Sequence, residues 1–437
     1  MKRLQLAAEE ADIVDLTHEA AGVAKIDGKT VFVADSLPGE RVRLRRTHRQ
    51  RKVDYAVTEQ VLRASADRVE PQCPHFGLCG GCALQHMAPA AQLAFKQSQL
   101  LENLARLGGV QAGRVLEPLA GPIWNYRRRA RLGIKLVPRK GKVLVGFRER
   151  ESPYVADLHE CQVLVEPVGA LMAPLGRLVE TLTIAARVPQ AEVAVSDETV
   201  ALVLRVLDPP SPADLDRLAA FESEHGVRFY LQTGGPETVA PLAASAGPAL
   251  QYRLPESGVV IEFEPTDFIQ VNGALNQAMV SRAIAMLDPA ASDTVLDLFC
   301  GLGNFSLPLA REVQHVVAVE GDAGLVQRAR GNAQRNGIGN VEFHVADLFA
   351  EVQGLPWTTR RYDQVLLDPP RAGAQQVLPL LARSGAGRVV YISCHSGSLA
   401  RDAGLLVREH GFRLSAAGVM DMFPHTTHVE AMAVFER

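Results

Sequence analysis

No apolar run in the sequence approaches the roughly 20 residues needed to span a bilayer, so no membrane partner is expected. The start, "MKRLQLAAEEAD", places acids after only a few apolar residues and lacks the apolar core of a signal peptide. The expected compartment is therefore the cytoplasm. Internal repeats are missing, and the net charge of -3, taken as a sum, argues against a nucleic-acid partner. Cysteine is scarce, at 6 in 437 residues, and three of the six crowd into "CPHFGLCGGCALQH" as Cys73, Cys79 and Cys82. In a reducing compartment such clustering points to metal binding or reactivity rather than to disulfides. What is present is ordinary for a folded chain: 47% hydrophobic and 22% charged residues, over a length suited to about three domains.

Charge is unevenly spread. "RVRLRRTHRQRK" (Arg41 to Lys52) contains no acid, and from Tyr126 through "VPRKGKVLVGFRER" the only acid is Glu149. Both runs suit either a solvated face or phosphate contact. Around the first, "DIVDLTHEAAGVAKIDGKTVFVADSLPGERVRLRR" alternates apolar and polar positions, with turn signals at Asp27-Gly28 and Pro38-Gly39. This is the pattern of a small β-barrel of the oligonucleotide-binding kind, or of a purely structural one. A helix with a glycine stop is expected over Ala88 to Gly109. The middle of the chain mixes strands and helices up to a small-residue connection, "VAPLAASAGPAL".

From about Glu262 strands and helices alternate, which predicts a mostly parallel, doubly wound α/β sheet with its ligands at the carboxyl ends of the strands. "TVLDLF" runs into "CGLGNFSLPLA", where Gly301 and Gly303 allow close approach of a ligand to the backbone. Ser306 stands at the third position, where a dinucleotide fingerprint favours Gly or Ala. Glu320, Asp347 and Asp368 close successive strands, and an acid ending the second strand is placed to accept hydrogen bonds from ribose hydroxyls. Together, these features resemble the class I S-adenosylmethionine-dependent methyltransferases.

"RVVYISC" delivers Cys394 to the same edge, followed by small polar residues, whereas Cys300 reads as a small buried hydrophobe. A thiolate beside a methyl donor has a chemical use. Added to carbon 6 of uracil, it makes carbon 5 nucleophilic. A base must afterwards remove the carbon-5 proton, and "FPHTTHVEAM" offers Glu430, with His425 and His428 as alternatives. The second half of the chain here resembles the RNA uracil-5-methyltransferases, through "FIQVN", "DLFCGLGNFS", Glu320, Asp347, "DPPRAG", the Cys394 strand and "FPHTTHVE". The resemblance implies that Phe299, Asn304, Glu320, Asp347 and Asp368 contact S-adenosylmethionine and that Gln270 lies between cofactor and base. It also implies Cys394 as nucleophile and Glu430 as the base. The chain departs from the family's usual Asn-Pro after the nucleophile, having His395 and Ser396. His395 either lowers the thiol pKa or fills space. Methylation of cytosine is disfavoured because "DPPR" lacks the second cysteine usual in those RNA enzymes.

Once Cys300 and Cys394 are set aside, Cys161 is left as the fourth ligand by elimination. Four thiolates suit zinc or an iron–sulfur cluster equally. "CPHFGLCGGCALQH" is similar to the iron–sulfur motif of the family's bacterial ribosomal-RNA branch, which implies a [4Fe-4S] cluster, with zinc as the alternative. "GVAKIDGKTVFVADSLPGERV" resembles a TRAM domain. The expected organisation is a TRAM-like OB-fold β-barrel over 1–66, a central α+β RNA-binding domain with the iron–sulfur loop over 67–261, and the methyltransferase domain over 262–437. The implied substrate is 23S ribosomal RNA, with no protein partner. The alternatives are the same chemistry on tRNA and a non-catalytic RNA-binding or assembly factor.

Overall fold

A computed structural model describes residues 8–242 and 247–437, so the first residues of the chain and part of the small-residue connection lie outside the described residues. The chain forms two compact units. One comprises Met1–Lys96, Arg148–Pro153 and Pro424–Thr427, and the other Gln97–Phe147, Tyr154–Phe423 and His428–Arg437.

In the first unit the strands are β1 (Glu9–Asp12), β2 (Asp15–Leu16), β3 (Gly22–Ile26), β4 (Lys29–Ala34), β5 (Arg41–Arg49) and β6 (Val53–Arg63), in sheet order β1-β5-β6-β4-β3-β2. Segment 9–16 pairs with β5 through β1 and with β3 through β2, and so closes the sheet into a barrel. The β3–β4 turn sits at Asp27-Gly28 with both φ angles positive, at 51° and 75°, as a tight right-twisting hairpin requires. Alternation does the rest. Ile13, Ala24, Val31, Val33, Val42, Leu44 and Ala56 fill the interior. Among them Arg46 is buried and paired to Asp54 and Glu9, which offsets the cost of burying its charge.

Helix α1 (Pro89–Asn103) continues as one wide turn, Leu104–Gly108, and stops at Gly109 with φ 64°. Strand β7 (Arg114–Val115) then joins the last sheet of the chain. A central sheet follows, of order β13-β12-β11-β10-β8-β9. Its strands are β8 (Arg129–Val137), β9 (Lys142–Gly146), β10 (Gln190–Val195), β11 (Val200–Arg205), β12 (Val227–Gln232) and β13 (Ala240–Pro241). Helices α2 (Met172–Thr181) and α3 (Pro212–His225) pack on it, α3 opening with a Ser211–Asp214 capping box.

A hairpin, β14 (Leu250–Leu254) and β15 (Val259–Phe263), precedes helix α4 (Gly273–Leu287). The last sheet contains β16 (Thr294–Leu298), β17 (His315–Glu320), β18 (Val341–Val345), β19 (Gln364–Leu367), β20 (Arg388–Ser393), β21 (Arg413–Met420) and β22 (Glu430–Glu436), with helices α5 (Ser306–Leu309), α6 (Ala323–Arg335), α7 (Leu378–Arg383) and α8 (Ser396–Arg408). Its order, β18-β17-β16-β19-β20-β22-β21-β7, is parallel from β18 to β20, with β22 antiparallel between β20 and β21. Buried apolar runs such as Val316–Val319 and Val365–Leu367 identify strands covered on both faces. The hairpin is fastened to α6 by two asparagines. Asn332 and Asn336 exchange amide bonds with the backbone of Glu262 and Val260 at 2.7–3.0 Å, standing in for a neighbouring strand. Reversal of strand order between β16 and β19 opens a crevice at their carboxyl ends.

Candidate active site

That crevice is a cavity of about 560 Å³, and its lining includes Gln270, Phe299, Asn304, Glu320, Asp347, Asp368, Cys394 and Glu430. Phe299 follows β16 with φ 64°, a strained angle for a side chain of its size, and its ring packs 5.8 Å from that of Phe349. Gly303, at φ 91°, has the backbone angle that side chains avoid. Glu320 ends β17, and its carboxylate accepts the backbone N–H groups of Gly301, Gly321 and Asp322 at 2.7–3.1 Å. These bonds fix the carboxylate and leave lone pairs for a ligand. Asp347 lies just past β18 and caps the Phe349 N–H at 2.9 Å. Asp368, directly after β19, is pushed up to about 7 by burial. Behind it Asp297 is also pushed up to about 7 by burial, although the Ser306 hydroxyl donates to it.

Asn304 is held in a network that the sequence did not disclose. Its Oδ1 accepts the Tyr252 hydroxyl at 2.9 Å and the Asn276 amide at 3.0 Å, and its own amide donates to Asn276 at 3.0 Å. Gln270 is positioned from the central sheet. Arg128, next to β8, donates through Nε to the Gln270 carbonyl at 2.9 Å and stacks its guanidinium 4.6 Å from the centre of the Tyr252 ring. Arg128 is 8% exposed, so this member of the basic run is a buried brace rather than a phosphate contact. A buried arginine inside an arginine triplet was the available signal, and linear charge counting hides it.

The thiol and the base meet through strand register. β20 and β22 are antiparallel with Ser393 opposite Ala431, so the next positions outward, Cys394 just past β20 and Glu430 at the start of β22, fall at the same edge of the sheet. Both line the cavity. The Cys394 thiol is pushed up to about 11 by burial and then by the charges of Glu430 and Asp368, with Arg371 opposing. His428 also lines the cavity, whereas His425 belongs to the first unit, where its carbonyl accepts the N–H groups of Ala83 and Leu84 at 2.8 and 3.0 Å. Cys300 is buried, and its thiol is held well above the ordinary range by that burial. His395 caps α8, with Nδ1 accepting the Ser398 N–H at 3.1 Å.

Cys73, Cys79 and Cys82 share one loop of the first unit, and Cys161 is buried in the second. The Cys79 thiol is pushed up by burial, and the nearby Cys73 adds to this. Its sulfur accepts the Gly81 N–H at 3.3 Å. The donors suit a soft metal, but among the described residues no three or more His, Cys, Asp or Glu side chains stand together as a metal-holding group.

On the barrel the basic run is largely neutralised: Arg41, Arg43, Arg45 and Arg46 pair with Glu10, Asp12, Glu59, Glu9 and Asp54. An aromatic row crosses its outer face. Phe32 lies 5.7 Å from Tyr55, and His48 lies 6.1 Å from Tyr55, ring centre to ring centre.

The doubly wound sheet and the crevice at its switch point define a class I methyltransferase. Residues 251–437 match the family model "tRNA (Uracil-5-)-methyltransferase". Over its full length the chain is 53% identical to the 23S rRNA (uracil(1939)-C(5))-methyltransferase RlmD of Alkalilimnicola ehrlichii, covering 98% of that protein. It is 49% identical to the enzyme of that name from Stenotrophomonas maltophilia, with the same coverage. The crystal structure of Pyrococcus abyssi tRNA (uracil-54, C5)-methyltransferase with S-adenosyl-L-homocysteine superposes with a TM-score of 0.74 at 24% identity, over 98% of this chain and 99% of that one. The chain belongs to the RNA (uracil-5-)-methyltransferase family. No helix among the described residues is long and apolar enough to cross a membrane.

Proposed function

We propose that this protein methylates carbon 5 of one uridine in 23S ribosomal RNA, at the position equivalent to uracil 1939 for which its relatives are named. The observation that carries the chemistry is the β20–β22 register, which sets Cys394 beside Glu430 in one cavity with the strand-end acids. S-adenosylmethionine, when bound, supplies the methyl as an electrophile and leaves as S-adenosylhomocysteine. Glu320 and Asp347 would hold its sugar and base, and Phe299 and Asn304 would line its bed. After losing its proton to water, Cys394 Sγ bonds to carbon 6, and the carbon 5–carbon 6 π electrons pass into an enolate. Carbon 5 then bonds to the methyl as the sulfur–methyl bond breaks. Glu430 takes the carbon-5 proton, the double bond re-forms and the thiolate leaves. A uracil within a duplex is out of reach, so the target base is in a loop or flipped out.

Nucleoside mass spectrometry on unmodified large-subunit rRNA and on bulk tRNA, each incubated with protein and S-adenosylmethionine, tests this reading. The expected result is 5-methyluridine in the rRNA alone. Product in tRNA moves the same chemistry to a different substrate. Absence of product from both, with cofactor bound, favours the non-catalytic RNA-binding factor.

RNA binding is assigned to the barrel, which resembles a TRAM module, and to the cytoplasm where ribosomal RNA is available. Phe32, Tyr55 and His48 offer faces for unstacked bases, flanked by the exposed Arg49, Arg51 and Lys52. Phe32→Ala with Tyr55→Ala is expected to weaken RNA binding about tenfold at unchanged salt dependence. Replacing the three cations with Gln is expected to reduce the slope of log K against log salt by about 2–3. Filter binding across a salt series separates the two effects.

The four cysteines are assigned to a [4Fe-4S] cluster that orders the central part of the chain and takes no step in methyl transfer. The support is an all-sulfur donor set with Cys73 and Cys79 coupled and an N–H group already directed at the Cys79 sulfur. Anaerobically purified protein is expected to be brown with about four irons per chain, and Cys79→Ala is expected to lose both. A colourless protein holding one zinc would establish the alternative.

A further inference from the structure

We propose that His395 and Ser396 are positioning residues that aim the Cys394 thiol, His395 as an imidazole cap of α8 and Ser396 as the pin that fixes that cap to the end of α1. The inference rests on Cys394 being the nucleophile. Only Cys394 and His395 separate the last residue of β20 from the first of α8, so the direction of the thiol is set by how tightly this two-residue turn is held.

It is held from three sides. His395 has extended backbone angles, φ -150° and ψ 104°, and its ring accepts the Ser398 N–H, one of the donors left open at a helix start. Its backbone is clamped as well. The N–H donates to Ser393 Oγ at 3.2 Å, while the carbonyl accepts hydroxyl bonds from Ser393 at 3.1 Å and Ser398 at 3.0 Å. Gly397 makes room for the ring, since a Cβ there would lie 2.9 Å from His395 Cε1. On the third side Ser396 Oγ accepts the Asn103 amide at 2.8 Å. Asn103 ends α1, and the wide turn after it is seated on α8. A Cβ on Gly404 would lie 2.5 Å from the Gly108 carbonyl, and Arg408 donates to that carbonyl. The pin therefore reaches a segment packed directly against α8. Where an Asn-Pro pair would combine a capping amide with a stiff ring, this chain combines a capping imidazole with a cross-helix hydrogen bond.

The imidazole differs from an amide cap in one respect: Nδ1 accepts only while it carries no proton. The charged groups facing His395 are Arg371, after β19, and Arg401, on α8. Partial burial and then these two cations hold its pKa below the ordinary histidine value. Falling pH protonates the ring and removes the cap, so the cap is intact at neutral pH and is lost only below the usual histidine range of about 6.5.

Three variants test this in the full-length protein, with two readouts: kcat for methylation, and the rate at which iodoacetamide alkylates Cys394, followed by mass spectrometry. His395→Ala is expected to lower kcat about tenfold, the effect of losing one cap contact, and to change the alkylation rate, with KM for S-adenosylmethionine unchanged. His395→Asn, which caps through an uncharged oxygen, is expected to recover kcat to within about threefold of the parent and to remove the extra loss of activity below the usual histidine range of about 6.5, leaving only the limb set by the thiol. Ser396→Ala is expected to lower kcat while keeping that extra acid-side loss. The proposal is overturned if His395→Ala keeps both its kcat and its alkylation rate, or if His395→Asn is as impaired as His395→Ala while melting at the parent temperature. The alkylation readout does not require turnover. Failure of the nucleophile assignment itself would appear separately, as methylation surviving in Cys394→Ala.

Discussion

Cys394→Ala is expected to reduce methylation by about 10⁴-fold or more, the scale of losing a covalent nucleophile. Affinity for S-adenosylmethionine and RNA should stay within about threefold, because the residues proposed to contact the cofactor lie at or after the ends of β16, β17, β18 and β19 rather than of β20. Single-turnover transfer of labelled methyl, paired with calorimetric binding, reads both quantities. The thiol also sets a pH dependence with a definite sign. Burial, Glu430 and Asp368 push Cys394 up to about 11, so at neutral pH the free enzyme holds it protonated. Log kcat/KM should therefore rise with a slope near one through the mildly alkaline range, and this rise should vanish in the residual activity of the alanine variant. The cationic methyl donor adds a positive charge to this acidic cavity, so the same limb measured in kcat should lie at lower pH. A flat kcat/KM profile from neutral pH upward would mean that a group other than the thiol limits the reaction.

The strand-end acids were legible because parallel α/β sheets bring successive carboxyl ends to one edge, and that rule needs only the order of elements. Glu320, Asp347, Asp368 and Cys394 all follow it into the cavity. Glu430 was reached through chemistry and resemblance, since its closeness to Cys394 depends on an antiparallel register between β20 and β22 that no local pattern announces. Tyr252 and Asn276 were missed for a related reason. They converge on Asn304 from a hairpin and a helix, and each in sequence reads as ordinary packing. The basic runs leave fewer free cations than their length suggests, for two different reasons. On the barrel, pairing of β5 with β1 and β6 places acids opposite the arginines. In the central sheet, Arg128 is drawn inward by the Gln270 carbonyl and the Tyr252 ring. In both cases the partners are far away in sequence, so a linear count of charge overstates what remains for phosphate. His395 illustrates the reverse. A departure from the family pattern that put the neighbourhood of the thiol in question is, in the fold, a conventional cap made with a different atom.

Glu430→Gln is expected to stop the reaction after methyl transfer rather than before it. The amide keeps the size of the carboxylate and removes both its basicity and its charge. Loss of the charge favours the first half of the reaction, because Glu430 is the largest of the charges that raise the Cys394 pKa. Thiolate addition should then be no slower than in the parent. Loss of the base leaves the carbon-5 proton in place, and without its removal the sulfur cannot be expelled. The expected outcome is a protein–RNA adduct stable to denaturing electrophoresis, carrying one methyl, with steady-state turnover lowered by about 10²–10⁴-fold. The same change in a Cys394→Ala background should give no adduct, which ties the bond to that sulfur. If Glu430→Gln slows methyl transfer as much as turnover and no adduct forms, then Glu430 acts earlier, by taking the thiol proton, and the carbon-5 proton must go to another group. His428, which lines the same cavity, would be the next residue to replace.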